Sequence, residues 1–297
     1  MLHLNFEIPE TNLWWRSSYW PYSNQEIFTK IERFKVLLTN AKEDDEFKLD
    51  HEKTLSFYYY VNYLIECLKS EQIITENVSF EEVLEVLHKS TAENNTELKI
   101  KNIYNAIIKY FPDPFALKLD KDSFNVDLAK DLNKIIGKEL WDNAGYLRTN
   151  KASASRMNYE YCEPEKIPER LNKLFDGTKR LLLDDNLVDL ESRIKISSMF
   201  FSIFLDIHPF SNGNGRVARI LLSLILSENC CIPVSLNSLG CYREVYLKCL
   251  YESRINNIYK SSALSAFILE CALINVECII EILDLSSKFC QNKLDSN

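Results

Sequence analysis

Residues 192–226 read SRIKISSMFFSIFLDI, then HPFSNGNGRVAR, then ILLSLIL. The first run is apolar enough for a buried helix, and the last resumes the same character. Between them stand twelve residues that are polar, basic and twice glycine, so two core helices hold one short loop rigidly. The whole chain has six glycines and eight prolines in 297 residues. So little glycine argues against a glycine-demanding β-sandwich or a Rossmann sheet, and for an all-α fold joined by economical loops. Two of the six glycines, Gly213 and Gly215, are spent in this one loop.

Helical spacing recurs outward from that centre. Toward the N-terminus it covers Glu26–Leu38, His51–Leu68, a segment through Val83, Val86 and Leu87 opened by a Ser79/Glu82 capping box, Leu98–Tyr110, and Leu128–Leu140 closed by Gly145. Between Tyr146 and Glu163 the helical pattern gives way to short polar and aromatic residues, which predicts a small β-hairpin. Pro164 and Pro168 then frame a helix through Leu171 and Leu174. The turn Phe111-Pro112-Asp113-Pro114 divides the chain into an N-terminal helical region, 1–110, and a core, 111–290. The acidic run 43–46 reads as a solvated loop.

At the N-terminus, Trp14, Trp15, Tyr19, Trp20, Pro21 and Tyr22 crowd together. They read as a strap laid over an apolar groove of the same molecule, with a partner or dimer surface as the alternative. Ser261–Leu283 is strongly apolar but places Glu270, Glu277 and Glu281 on one narrow face. That pattern predicts a buried helix with one wet stripe, not a membrane span. The net charge of −8 offers no global field for nucleic acid. Nine scattered cysteines without a C-x-x-C pair predict buried free thiols, and hence a reducing, cytoplasmic setting. The N-terminus lacks the basic and apolar regions of a secretory signal. Four histidines, none at ligand spacing, argue against a metal held by protein side chains alone.

The loop 208–219 carries the chemistry. Gly213-Asn214-Gly215 can turn successive backbone N–H groups outward at a helix N-terminus, which makes an anion nest. Arg216 and Arg219, three apart on the first turn, reach one anion together. This combination suits a di- or triphosphate. His208 is the side chain here that accepts a proton near neutral pH, and Asn212 offers an oxygen to a Mg²⁺ already carried by the phosphates.

HPFSNGNGRVAR resembles the Fic family motif H-P-F-x-(Asp/Glu)-G-N-G-R-x-x-R, departing only at Asn212. GYLRT, 145–149, is similar to the family's segment before its target-binding flap, Met157–Cys162 falls where that flap belongs, and REVYLKCL, 243–250, is similar to the family's R-x-x-Y-Y-x-x-L helix. The resemblance implies a helical bundle with a small β-hairpin flap near 148–162. The activity it implies is transfer of AMP from Mg-ATP to a Ser, Thr or Tyr hydroxyl of a protein bound at the flap. In that scheme His208 is the base, Gly213, Asn214 and Gly215 cradle the α and β phosphates, Arg216 holds the phosphate chain, Arg219 takes the γ-phosphate, and Phe210 anchors the loop. The alternatives are transfer of another nucleotide or phosphate-linked group, and a non-catalytic binding module.

Many such proteins also carry an inhibitory helix, (Ser/Thr)-x-x-x-Glu-(Gly/Asn), whose glutamate pairs with the last arginine of the motif. Ser70–Thr75, SEQIIT, resembles a degenerate copy that puts Ile74 at the glutamate position, so no autoinhibitory ion pair is expected. A shifted register would instead use Glu71 or Glu76, and an antitoxin-like partner or a homodimer could regulate in its place. The cytosol in question is the producer's, or that of a host receiving an injected effector.

Overall fold

The computed structural model describes residues 4–16, 20–43, 52–75, 77–113, 119–154, 159–236, 242–255 and 262–294, with backbone alone for 41–43, 52–55, 242, 254–255 and 281–294. Ten α-helices and one short hairpin make up these residues: α1 (Asn24–Glu43), α2 (Glu52–Ser70), α3 (Phe80–His88), α4 (Asn95–Tyr110), α5 (Val126–Ile136), β1 (Ser153–Ala154), β2 (Tyr159–Glu160), α6 (Ile167–Leu182), α7 (Leu190–Ile207), α8 (Asn214–Cys230), α9 (Tyr242–Ile255) and α10 (Ser262–Leu294). The all-α class inferred from glycine scarcity is the observed one.

Local signals start and stop these helices. The Ser79/Glu82 capping box opens α3 with both reciprocal bonds in place. Asn94, Asn125 and Asp189 cap α4, α5 and α7 through their side-chain oxygens. The sequence expectation for α5 ran too far. The helix stops at Gly137, where the Trp141 indole folds back onto its end, and Gly145 lies beyond in a separate turn. β1 and β2 pair antiparallel with Ser153 opposite Glu160 and Ala154 opposite Tyr159. The connecting residues 155–158, with Met157 of the expected flap, lie outside the described residues.

One apolar core runs from Ile8 to Ile279 and joins both sides of the 110/111 boundary. Its centre is α7, almost wholly buried, packed on α8, α6 and α10. A helix enclosed on every side reads as apolar all round, which is why 192–207 lacks a polar face. The same enclosure explains α10. Its window Ser262–Ile280 is long and apolar enough to cross a membrane, yet 72% of it is buried inside the protein.

The expected wet stripe on α10 is a correction. Glu270 is only 2% exposed, because the N-terminal segment covers it. Trp15 Nε1 donates to Glu270 Oε2 at 2.9 Å, Arg16 Nε donates to Oε1 at 2.8 Å, and the Trp15 ring meets Phe267 edge-on at 6.2 Å. The strap reading therefore describes this segment; Tyr19 lies outside the described residues. Burial pushes the Glu270 carboxyl above its ordinary value, with Trp15 and Arg16 opposing. Glu277 sits at the rim and pairs with Lys30 at 2.9 Å, while the Glu281 side chain is outside those described. The seven described cysteines are free thiols, and Cys278, expected to be buried, is exposed; the Cys241 and Cys290 side chains lie outside those described.

Candidate active site

α7 ends at Ile207, and His208 takes a left-handed conformation, φ 50°, that turns the chain sharply out of the helix. Phe210 is buried and drives the loop inward against Phe204, ring centroids 6.4 Å apart. Asn214 then closes the loop on itself: its Oδ1 accepts from Phe210 N at 2.9 Å and its Nδ2 donates to Phe210 O at 2.7 Å. The Asn214 side chain thus spends both its oxygen and its nitrogen on the Phe210 backbone.

Gly213, φ 80°, starts α8. A Cβ there would stand 3.1 Å from the Trp141 ring and 3.2 Å from Asn133 Nδ2, in a conformation that side chains already disfavour. Gly213→Ala is expected to cost about 1–2 kcal/mol, read from denaturant unfolding.

Two residues that sequence reasoning did not assign hold this loop from outside. Asn133 of α5 donates to Asn212 O at 2.9 Å and accepts from Gly145 N at 2.8 Å, so one buried amide ties together three segments. Arg148, in the quoted GYLRT but given no role, is buried and donates to the carbonyls of His208 (2.7 Å), Asn150 (2.7 Å), Ile207 (3.2 Å) and Cys162. A forked guanidinium can serve four carbonyls at once and an ammonium cannot. Arg148→Lys should therefore cost about 2 kcal/mol, visible in a thermal melt, through carbonyls left unsatisfied.

The hairpin docks over His208. Tyr159 donates its hydroxyl to Asp206, which also pairs with Arg170 at 2.9 Å. The Tyr161 ring lies flat on the His208 imidazole, centroids 3.9 Å apart and planes 15° from parallel. Asn212 is exposed on the loop surface beside Ser211, whose hydroxyl accepts from Asn143 Nδ2 at 2.8 Å.

Arg216 and Arg219 do converge, as their spacing predicts, and what they converge on is Glu71. Its carboxylate pairs directly with Arg219 Nη1 and lies 3.8 Å from Arg216 Nε. Arg219 is 2% exposed and stacks over Tyr246 at 5.0 Å; Arg216 lies over Trp141 at 5.0 Å. Burial lowers the Arg216 guanidinium, Glu71 opposes this and Arg219 adds to it. Burial also pulls Arg219 down, but Tyr246 and Glu71 outweigh it and its pKa ends above the ordinary value. Gly215 leaves room for this arrangement, since a Cβ there would overlap the Glu71 carboxylate.

The expectation that this segment makes no ion pair with Arg219 is therefore overturned, and so is the register. Ile74 lies past the end of α2, partly buried against the apolar core, and Ser70 is the last residue of that helix, its hydroxyl turned back to Cys67 O at 3.3 Å. Glu76 lies outside the described residues. With Glu71 as the glutamate, Cys67 stands at the Ser/Thr position and Gln72 at the Gly/Asn position. Gln72 adopts φ 54°, the left-handed conformation that explains a preference for Gly or Asn there. The usable signal was a residue of serine's size four before Glu71.

Residues 123–226 match the sequence model of the Fic/DOC family, a span that includes Asn133, Arg148 and the entire loop. This chain contains a Fic domain. Fic-1 of Caenorhabditis elegans, as a solved fragment, superposes with a TM-score of 0.64 at 16% identity over 89% of this chain and 73% of that one. A Fic-domain signaling protein of Bacteroides thetaiotaomicron gives 0.61 at 15% identity over 86% and 98%. These likenesses establish the Fic fold. In sequence, a probable protein adenylyltransferase, aq_aa38, of Aquifex aeolicus is 45% identical over 60 residues, 20% of this chain and 18% of that protein. The protein adenylyltransferase fic-1 of Caenorhabditis elegans is 27% identical over 121 residues, 40% and 22% respectively. The chain thus spans about a fifth of the length of these two curated relatives.

Proposed function

We propose that this Fic protein transfers AMP from Mg-ATP to a Ser, Thr or Tyr hydroxyl of a protein, from a site that Glu71 keeps closed. Similarity to proteins named adenylyltransferases supports a transferase. The observation that carries the finer reading is the Glu71 carboxylate itself, an anion of this chain seated between the partly buried Arg216 and the buried Arg219 at the N-terminus of α8. Helix N-termini with paired guanidinium groups are built for phosphate oxygens, and here the protein supplies its own substitute. Arg216 Nε and Nη1 and Arg219 Nε and Nη2 are buried without hydrogen-bond partners, so donors remain for a polyphosphate larger than one carboxylate.

The acceptor hydroxyl gives its proton to His208 as its oxygen bonds to the α-phosphorus. The bond from that phosphorus to the bridging oxygen breaks, and pyrophosphate leaves. Arg216, Arg219 and the first N–H groups of α8 balance the charge on the leaving group. Among the described residues no cluster of His, Cys, Asp and Glu could hold a metal by itself, so a Mg²⁺ would arrive with the phosphates and meet the exposed Asn212 amide. Bound there, it would supply further charge neutralisation, with one formal charge fewer from the protein than a carboxylate gives. The hairpin edge would hold the acceptor segment by main-chain pairing, which tolerates varied sequence around the hydroxyl.

A lysate incubated with α-labelled ATP, CTP, GTP or UTP tests this, using Glu71→Ala and Glu71→Ala/His208→Asn. Label from ATP on protein bands, absent with the double variant, is the expected result. No label from any of the four nucleotides, with no rise in Tm on adding Mg-ATP, would overturn it.

A further inference from the structure

Glu71 caps the C-terminus of α2, and what holds that helix end decides where the carboxylate points. Ile73 N donates to Leu68 O at 3.0 Å, Gln72 N to Lys69 O at 2.8 Å, and Glu71 N to Cys67 O at 3.3 Å. These bonds close the helix in a Schellman motif, with Gln72 at the left-handed position that glycine ordinarily fills. A glutamine there weakens the closure, so the end depends more on outside support. The next carbonyl, Ser70 O, belongs to a residue 1% exposed and accepts from Arg243 Nε of α9 at 2.9 Å. A guanidinium at a helix C-terminus also complements the negative end of the dipole. One turn further along α9, at i+3, Tyr246 lies beneath Arg219, the partner of Glu71.

Helix α9 therefore carries, side by side, the cap of the helix that presents Glu71 and the platform for the arginine that Glu71 meets. Resting on the reading of Glu71 as an occupant of the phosphate position, we infer that Arg243 is a positioning residue that holds Glu71 over Arg219, so that α9 sets how firmly the nucleotide site is closed. A displacement of α9 releases the Ser70 carbonyl and tilts the Arg219 platform in the same movement. This makes α9 the regulatory lever of the site.

The test uses the full chain and measures the Kd of a non-hydrolysable ATP analogue with Mg²⁺ by isothermal titration calorimetry. Arg243→Met is expected to bind about 5- to 10-fold more tightly than the wild type, and Arg243→Lys, which keeps a charged donor, to fall between them. In a Glu71→Ala background, Arg243→Met is expected to change Kd less than twofold. A merely structural cap would lower Tm without tightening binding, and an arginine that attracts phosphate would weaken binding when removed; either result overturns the inference. So does an equal gain with and without Glu71. If Arg243→Met is unfolded by circular dichroism, Arg243→Gln replaces it with the same expected direction. If Glu71→Ala fails to tighten binding, the reading of Glu71 falls; if it tightens binding while Arg243→Met does not, only the role of Arg243 falls.

Discussion

Replacing Glu71 with alanine is expected to tighten binding of Mg-ATP by about 30- to 100-fold and to raise transfer at low nucleotide in proportion. The magnitude follows from removing a partly buried carboxylate that nucleotide must otherwise displace from two arginines, a competition worth about 2–3 kcal/mol. The Glu71 side chain is 20% exposed against 2% for Arg219, so the pair sits at the inner end of the site, where solvent screens it little. The same substitution has an opposite effect on the protein without nucleotide. It leaves the buried Arg219 without its carboxylate, and stability is expected to fall by about 3 kcal/mol. Mg-ATP should restore much of this by binding the folded state alone. A variant that is destabilised and not rescued would show that the ion pair supports the fold and has no bearing on the nucleotide.

Substitution of His208 has the other large effect. Removing a general base is expected to lower the transfer rate by about 10²- to 10⁴-fold while leaving nucleotide affinity within about twofold. The choice of replacement matters, because His208 sits at φ 50°. Asparagine tolerates that left-handed conformation better than alanine, so His208→Asn separates loss of chemistry from strain in the loop. Rates come from single-turnover labelling and affinity from calorimetry; a fall in affinity equal to the fall in rate would remove His208 from the role of base.

Much of the fold is legible in the sequence. Burial of 192–207, the capping box at Ser79 and Glu82, and the helical class with one hairpin all follow from short-range patterns that each segment carries in itself. So did the convergence of Arg216 and Arg219, because residues three apart on a helix share a face wherever that helix is placed. The errors have a common character. α5 was extended past Gly137 because its apolar period continues into residues that fold back as Trp141. Glu270 has the spacing of a wet stripe, and nothing near it in sequence announces Arg16, 254 residues away. Asn133 and Arg148 escaped assignment because a side chain that bonds carbonyls of other segments leaves no periodic trace.

The chain's own residues thus determine most of the helices and the way Asn214 closes the loop 208–219 on itself, since each depends on neighbours within one or two turns. Only the tertiary structure decided what stands in that loop. Ile74 and Glu71 are three residues apart, and in sequence Ser70 favours the first register more plainly than Cys67 favours the second. The helix closure at Gln72, the bond from Arg243 to Ser70 and the space left by Gly215 put Glu71 against Arg219, 148 positions away, where its carboxylate relieves the buried positive charge of Arg219 and the partly buried one of Arg216.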